Sequence, residues 1–303
     1  MAQYMLLVLL IVIALVSYII MVITINNQFL GQHADEIQQI NYIYINGIRI
    51  NYVKKGKGKP LLLVHGFINS LLMFDKLINI LSKNYTIFAL DLIGFGFSDK
   101  HLNLTYTRKN MAELAVKFMV SQGFDKFALM GHSMGGEVAL NMSYYHPENI
   151  TKLILIDATG CTDILKLPNF MKKFSFLGIF LLKISFRNYY FLKFCFRLGF
   201  YDQKNFDKKL FDRIYSILLR IPIKTLYKFG IQGDRMLIKD KIPLIDTDTL
   251  IIWGRDDRIV PLKQGESLNR KIKNSKLLVI DNCGHIPFVE KLEPFISSLQ
   301  KYL

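Results

Sequence analysis

Gly131-His132-Ser133-Met134-Gly135 is a G-x-S-x-G string. It follows the apolar run Lys126–Met130 and leads through Gly136 into an apolar segment of helical spacing, so the serine stands at a strand-to-helix turn. Such a turn holds Ser133 in a strained conformation with its hydroxyl above a sheet. Gly131 and Gly135 leave room that a side chain would take from the neighbouring strand or helix, and the helix N-terminus offers positive potential and the N–H of Met134. A serine hydroxyl is a weak nucleophile at neutral pH: it needs a base, and the base needs an acid to orient it. Both follow in the chain. The run Thr249–Trp253 ends in Gly254-Arg255-Asp256-Asp257-Arg258, and the run Ser275–Ile280 ends in Asp281-Asn282-Cys283-Gly284-His285. The order Ser, Asp, His points to acyl transfer, with His285 as the base. None of the other five histidines follows a late strand-like run. Three carboxylates end such runs, Asp157, Asp256 and Asp257, and spacing leaves the choice open, except that Asp256 and Asp257, being adjacent, cannot both face His285.

The elements that must position these groups are legible as short apolar runs alternating with helical spacing. Asn41–Val53 reads as two strands around Asn46-Gly47, a strong hairpin signal. Pro60–Val64, Tyr85–Leu90, Lys126–Met130, Lys152–Ile156, Thr249–Trp253 and Ser275–Ile280 are apolar enough to be strands buried on both faces. Helices are expected near Leu71–Leu81, Arg108–Ser121, Met134–Tyr145, Leu262–Ile272 and Pro287–Leu303. This alternation predicts an α/β fold, a mostly parallel sheet flanked by helices. Cys161–Asp240 interrupts it with 80 residues that hold no clear strand, 12 Phe and 5 Tyr. Phe176/Phe180, Phe186/Tyr190 and Phe191/Phe194 lie at helical spacings there, as do Lys183/Arg187 and Lys193/Arg197, which predicts amphipathic helices.

Met5–Thr24 carries no charged residue over 20 positions, about the length that spans a bilayer core. It reads as an uncleaved transmembrane helix. A cleaved signal peptide would want a basic start, a shorter apolar stretch and a small-residue cleavage site, and a buried core helix is the remaining alternative. The expected organisation is a tail over 1–4, the anchor over 5–24, a linker over 25–40, a core over 41–160 and 241–303, and a helical cap over 161–240. In 303 residues, 39 Lys and Arg face 24 Asp and Glu, a surplus of 15. Disorder is excluded by 51% hydrophobic residues with 23 Phe and 15 Tyr. The cap carries 16 basic and 6 acidic residues, two thirds of the surplus. Interleaved with aromatics beside an apolar anchor, that charge fits an anionic membrane surface better than a nucleic acid. The alternative is that the aromatics fill the interior of the cap while Lys and Arg solvate its outside. Three dispersed cysteines, Cys161, Cys195 and Cys283, make neither a disulfide framework nor a metal site. Gly56-Lys-Gly-Lys-Pro60 lacks the spacing of a phosphate loop and precedes a strand, so no cofactor is expected.

These residues resemble the α/β-hydrolases over nearly all of Asn41–Leu303. Val64-His65-Gly66-Phe67 is similar to the family's oxyanion segment, which implies the N–H groups of Phe67 and Met134 as oxyanion donors. Asp91-Leu-Ile-Gly94-Phe-Gly96-Phe-Ser98 resembles a structural loop of the family. Trp253-Gly254-Arg255-Asp256-Asp257, with the tail Ile259-Val260-Pro261, implies Asp257 as the acid, with Asp157 in a position that is structural in most members and supplies the acid in a minority. Gly284-His285-Ile286-Pro287 and Glu290 match the signature around the family's histidine. A serine nucleophile argues against the epoxide hydrolases and haloalkane dehalogenases, which place Asp there. The resemblance implies a metal-free serine esterase or lipase, similar to membrane-tethered monoacylglycerol lipases. A meta-cleavage-type C–C bond hydrolase is the alternative, and a catalytically silent scaffold on the same fold is the alternative from another class.

Overall fold

The computed structural model describes residues 17–18, 20–30, 41–161, 168–232 and 238–303. Asn46 and Gly47 both take positive φ, 52° and 75°. That geometry joins β1 (Asn41–Ile45) to β2 (Ile48–Lys55) as an antiparallel hairpin with Ile45 opposite Ile48. β2 pairs antiparallel with β4 (Tyr85–Leu90). The remaining strands, β3 (Lys59–Val64), β5 (Phe127–His132), β6 (Ile150–Ile156), β7 (Thr249–Gly254) and β8 (Ser275–Ile280), are parallel, in the sheet order β1-β2-β4-β3-β5-β6-β7-β8. The predicted runs lie within two residues of these strands. Alternation along β3 sends Leu62 and Val64 to one face and Leu61 and Leu63 to the other, each into its own apolar cluster. Helices α3 (Arg108–Ser121), α4 (Met134–Tyr145) and α10 (Lys263–Lys271) pack on the first face, and α2 (Asp75–Leu81) and α12 (Leu292–Gln300) on the second.

Two expected helices are divided. Leu71–Phe74 is a tighter 3-10 turn before α2, started by Ser70, whose hydroxyl accepts from the Leu72 N–H. The C-terminal helix breaks at Lys291 into α11 (Pro287–Glu290) and α12. Pro294 has no N–H for the Glu290 carbonyl, and its ring would strike that carbonyl in a continuous helix.

Between β6 and β7 the described residues form α5 (Asn169–Lys173), α6 (Ser175–Phe186), α7 (Tyr189–Arg197), α8 (Lys208–Leu218) and α9 (Ile223–Ile231). Phe186 and Tyr190 stand on different helices, because Asn188 lies between them and caps α7 by accepting from the Phe191 N–H. The aromatics divide rather than all filling the interior. Phe196, Phe200, Phe206 and Phe211 pack ring against ring, whereas Phe174, Phe176, Phe180, Tyr190, Phe191 and Phe194 are exposed.

Residues 20–30 are helical (α1), so a helix runs past Thr24, where the sequence pattern placed a linker. Ile25 and Phe29, four apart, pack on the core, and Phe29 stacks on Tyr189 at 5.0 Å. The Asn26 amide donates to the Arg187 carbonyl at 3.2 Å and accepts from the Tyr215 hydroxyl at 2.6 Å. Residues 5–16 and 19 of the expected membrane span lie outside the described residues. Among the described residues no helix is long and apolar enough to cross a membrane.

Candidate active site

Ser133 sits between β5 and α4 at φ 54° and ψ −122°, a strained conformation for any residue but glycine. Its backbone is held there by its N–H to the Ile156 carbonyl at 2.9 Å and by the Gly136 N–H to its own carbonyl at 2.9 Å. The flanking glycines are required by space: a Cβ on Gly131 would lie 2.4 Å from the Gly135 carbonyl oxygen, and one on Gly135 would lie 2.2 Å from the Val64 carbonyl oxygen.

His285 and Asp257 arrive on the loops after β8 and β7. The Asp256 N–H donates to the Cys283 carbonyl at 2.9 Å, tying one loop to the other. The Trp253 indole N–H donates to the Val260 carbonyl at 3.0 Å and closes the Asp257 loop. Within that loop, Asp257 Oδ1 accepts from the N–H groups of Ile259 (2.7 Å) and Val260 (2.9 Å). Its Oδ2 is thereby aimed at His285, whose Nδ1–H donates to it at 2.6 Å. Both side chains are buried. Of the three carboxylates left open by spacing, Asp257 is the one hydrogen-bonded to His285. Asp256 is half-buried in the same loop. Asp157, fully buried, accepts the Gly254 N–H at 2.9 Å. Burial, reinforced by the negative Asp257, pushes the Asp157 carboxyl well above its ordinary value. Asp157, Asp257 and His285 are also the one set of three metal-capable side chains among the described residues, their ligand atoms within 4.8 Å of one another. The short His285–Asp257 bond joins two of these atoms to each other, the arrangement of an orienting pair.

Opposite the histidine, the segment Gly66-Phe67 is fixed by His65. Its Nε2 accepts from the Leu92 N–H at 3.0 Å, and its Nδ1–H donates to the Gly66 carbonyl at 2.8 Å. Burial lowers the pKa of His65, which suits the neutral ring these bonds require. Gly66 passes so close to the nucleophile that a Cβ on it would stand 3.0 Å from Ser133 Cβ. The Asp91 loop has the structural role the resemblance implies, with Oδ1 and Oδ2 accepting the N–H groups of Leu71 and Phe97, each at 2.8 Å.

Ser133, Met134, Phe67 and His285 line one cavity of about 350 Å³, the size of a small ligand site. The insertion closes it with Phe186, Phe191, Leu192, Phe196, Phe211 and Leu218, and among the described residues its wall contains no Lys, Arg, Asp or Glu. Sequence pattern alone assigns no role to two features of this site. Glu290 accepts the N–H groups of Gly284 (2.8 Å), Asp202 (2.8 Å) and Tyr201 (3.1 Å), and the His285 N–H donates to the Gly199 carbonyl at 2.7 Å. The histidine loop is thus bonded to the end of the insertion's α7. Beside the serine, His132 Nε2–H donates to the His285 carbonyl at 2.8 Å. The signal for Glu290 was its fixed place after His285, and its partners depend on the tertiary fold.

Comparisons with known proteins bear on the fold that carries these residues. The uncharacterized hydrolase YugF of Bacillus subtilis (strain 168) is 28% identical over 265 residues, covering 86% of this chain and 96% of that protein. The 2-hydroxy-6-oxo-6-(2'-aminophenyl)hexa-2,4-dienoic acid hydrolase of Metapseudomonas resinovorans is 25% identical over 276 residues, 86% of this chain and 90% of that one. Among solved structures, a membrane phospholipase A described as a bacterial virulence factor superposes with a TM-score of 0.73 at 24% identity, over 100% of this chain and 98% of that chain. The alpha/beta hydrolase fold family matches residues 59–292, from β3 to the start of α12, and the chain belongs to that family.

Proposed function

We propose that the chain is a membrane-anchored serine hydrolase that cleaves carboxylic esters with medium or long acyl chains, held to the bilayer by residues 5–24. Ser133 attacks the ester carbonyl as His285 Nε2 takes its proton. Asp257 keeps the other ring nitrogen protonated and stabilises the imidazolium that forms. The N–H groups of Phe67 and Met134 receive the negative charge of the tetrahedral intermediate. His285 returns the proton to the leaving alcohol, then activates the water that hydrolyses the acyl-serine. This chemistry uses no metal or cofactor.

The observation that carries the reading is the cavity: Ser133 and His285 open onto a chamber lined mainly by aromatic and aliphatic side chains, with Asn69 and Thr159 among its few polar groups and no Lys, Arg, Asp or Glu among the described residues. An acyl chain gains from such a wall. The match of the membrane phospholipase A along the whole chain supports a lipid-like ester met at a membrane. A second reading, C–C bond hydrolysis of a meta-cleavage product, is favoured by the dienoic acid hydrolase among the relatives. The substrate named there is an acid, whose carboxylate would meet no Lys or Arg among the described residues of the cavity wall.

The test is hydrolysis of p-nitrophenyl esters of graded chain length against a vinylogous diketone substrate. A higher kcat/KM for longer esters supports the ester reading, and turnover of the diketone alone refutes it. A fluorophosphonate probe is expected to label the wild type and not Ser133→Ala, whose kcat falls by about 10⁴-fold or more. An unlabelled wild type would defeat the hydrolase reading and leave the scaffold.

A further inference from the structure

α6, with the sequence SFLGIFLLKISF, is apolar almost all the way round, yet Gly178 is its one fully buried residue. Phe176 is 83% exposed, and Phe180 and Ile184, four and eight positions on, continue the same exposed face. Tyr190 and Phe194 of α7 extend it. A helix of this composition belongs inside something apolar, and a patch of this kind on a water-soluble surface marks a contact site. The charges on the segment itself have one sign: residues 168–201, which include α5, α6 and α7, contain six Lys and Arg and no Asp or Glu. Lys172, Lys173 and Lys183 are exposed. Phe191 is 46% exposed and also lines the cavity, so the cavity reaches the surface here. The N-terminal helix arrives at the same place, since Asn188, between α6 and α7, donates to the Tyr18 hydroxyl and Phe29 stacks on Tyr189.

We infer that the α5–α7 face is a docking surface for an anionic phospholipid leaflet. Phe176, Phe180, Ile184 and Phe194 enter the acyl region, Lys172, Lys173 and Lys183 meet the phosphates, and the cavity mouth beside Phe191 opens toward the lipid. A second copy of the chain is disfavoured as occupant, because two such faces would bring like charges together. A nucleic acid would use the cations but gains little from the exposed Ile and Phe faces. The inference deepens the proposed membrane attachment and rests on it for its setting.

Trp253 is the single tryptophan and is fully buried, so an introduced indole is read against a steady background. The full chain, as Phe180→Trp or Phe194→Trp, is reconstituted into vesicles of phosphatidylcholine and phosphatidylglycerol with brominated acyl chains. Leu244→Trp, exposed just before β7 at the end of the sheet away from Ser133, is the control. The inference expects the new emission at Phe180→Trp and Phe194→Trp to fall by about half or more relative to unbrominated lipid, with Leu244→Trp unaffected. It also expects weaker quenching when phosphatidylglycerol is omitted; equal quenching there overturns the role of the lysines. A vesicle-bound chain whose indoles at positions 180 and 194 stay unquenched overturns the docking surface and leaves the anchor standing, with a second copy or another segment as the cover. A chain that does not associate with vesicles overturns both. Fluorophosphonate labelling reports on the hydrolase reading separately in every case. As an independent arm, the triple variant Phe176→Ser, Phe180→Ser, Phe194→Ser should lose about tenfold on a vesicle-embedded ester and keep its rate on a short soluble ester. Equal rates on both would count against the inference.

Discussion

Two aspartates of identical chemistry stand within reach of one histidine, and their surroundings give them opposite tasks. Asp257 takes two backbone N–H bonds on one oxygen and the His285 N–H on the other, which fixes the carboxylate against the ring. Asp257→Asn removes the acceptor that sets the His285 tautomer and should lower kcat by about 10⁴-fold with little change in KM. Asp157→Asn should leave kcat nearly intact, because the amide keeps the oxygen that accepts the Gly254 N–H. Its effect lies in stability. With the folded value of Asp157 raised well above 3.8, the folded chain holds a proton that the unfolded chain has released once pH passes that value. The contribution is therefore whole below 3.8 and is lost as pH rises toward and through the folded value. Chemical denaturation should show Asp157→Asn gaining on the wild type with rising pH, by up to about 1.4 kcal/mol per unit. A difference that does not vary with pH would mean that Asp157 ionises as an ordinary carboxylate.

Between elements, the loops that carry the site are held by directed bonds as well as by the buried Val260, Cys283 and Ile286. Glu290, at the end of α11, gathers three N–H groups from the histidine loop and from the chain after α7. Glu290→Ala leaves three inward donors without their acceptor, at a cost of about 3 kcal/mol in chemical denaturation. It should also lower kcat by about 10²-fold, since a small displacement of a catalytic group is enough to do so. Glu290→Gln, which retains one good acceptor, should fall between. If the Ala variant loses stability but keeps kcat, the tie serves the fold and not the position of His285. The break at Lys291, imposed by Pro294 in the first turn of α12, is what leaves Glu290 at a helix terminus.

Across the molecule, the insertion meets the core through both ion pairs and apolar packing. Lys76 pairs with Asp207 of the insertion at 3.2 Å, with the Lys side chain 56% exposed. Phe229 of α9 is buried against Phe67 at 5.1 Å and Phe95 at 5.3 Å, with the Arg108 guanidinium 4.5 Å above its ring. Burial should dominate. Lys76→Gln is expected to change stability by less than about 1 kcal/mol, and Phe229→Ala to cost about 3 kcal/mol or more in the same denaturation experiment. The second substitution also removes the ring stacked on Phe67 and so should weaken ester turnover. An equal loss from both variants would show that the insertion is held chiefly by charge.

The order of strands and helices, the hairpin at Asn46-Gly47, the turn at Ser133, the histidine after the last strand and the basic insertion were all legible in the sequence. Each is a property of residues close together in the chain: a period of two or of about three and a half, a glycine where φ or space demands one, a residue type at a strand end. Three matters were decided only by the tertiary structure. Spacing alone leaves Asp256 and Asp257 indistinguishable and only the family resemblance implies Asp257; the contact with His285 is made by the loop after β7 as it folds back through Ile259 and Val260. Two of the three partners of Glu290 lie 88 and 89 residues away. The aromatic spacings of the insertion, which predict shared faces, did not specify that one of those faces would be left outside. Periodicity groups side chains on one side of a helix, and only the packing of whole elements determines what that side meets.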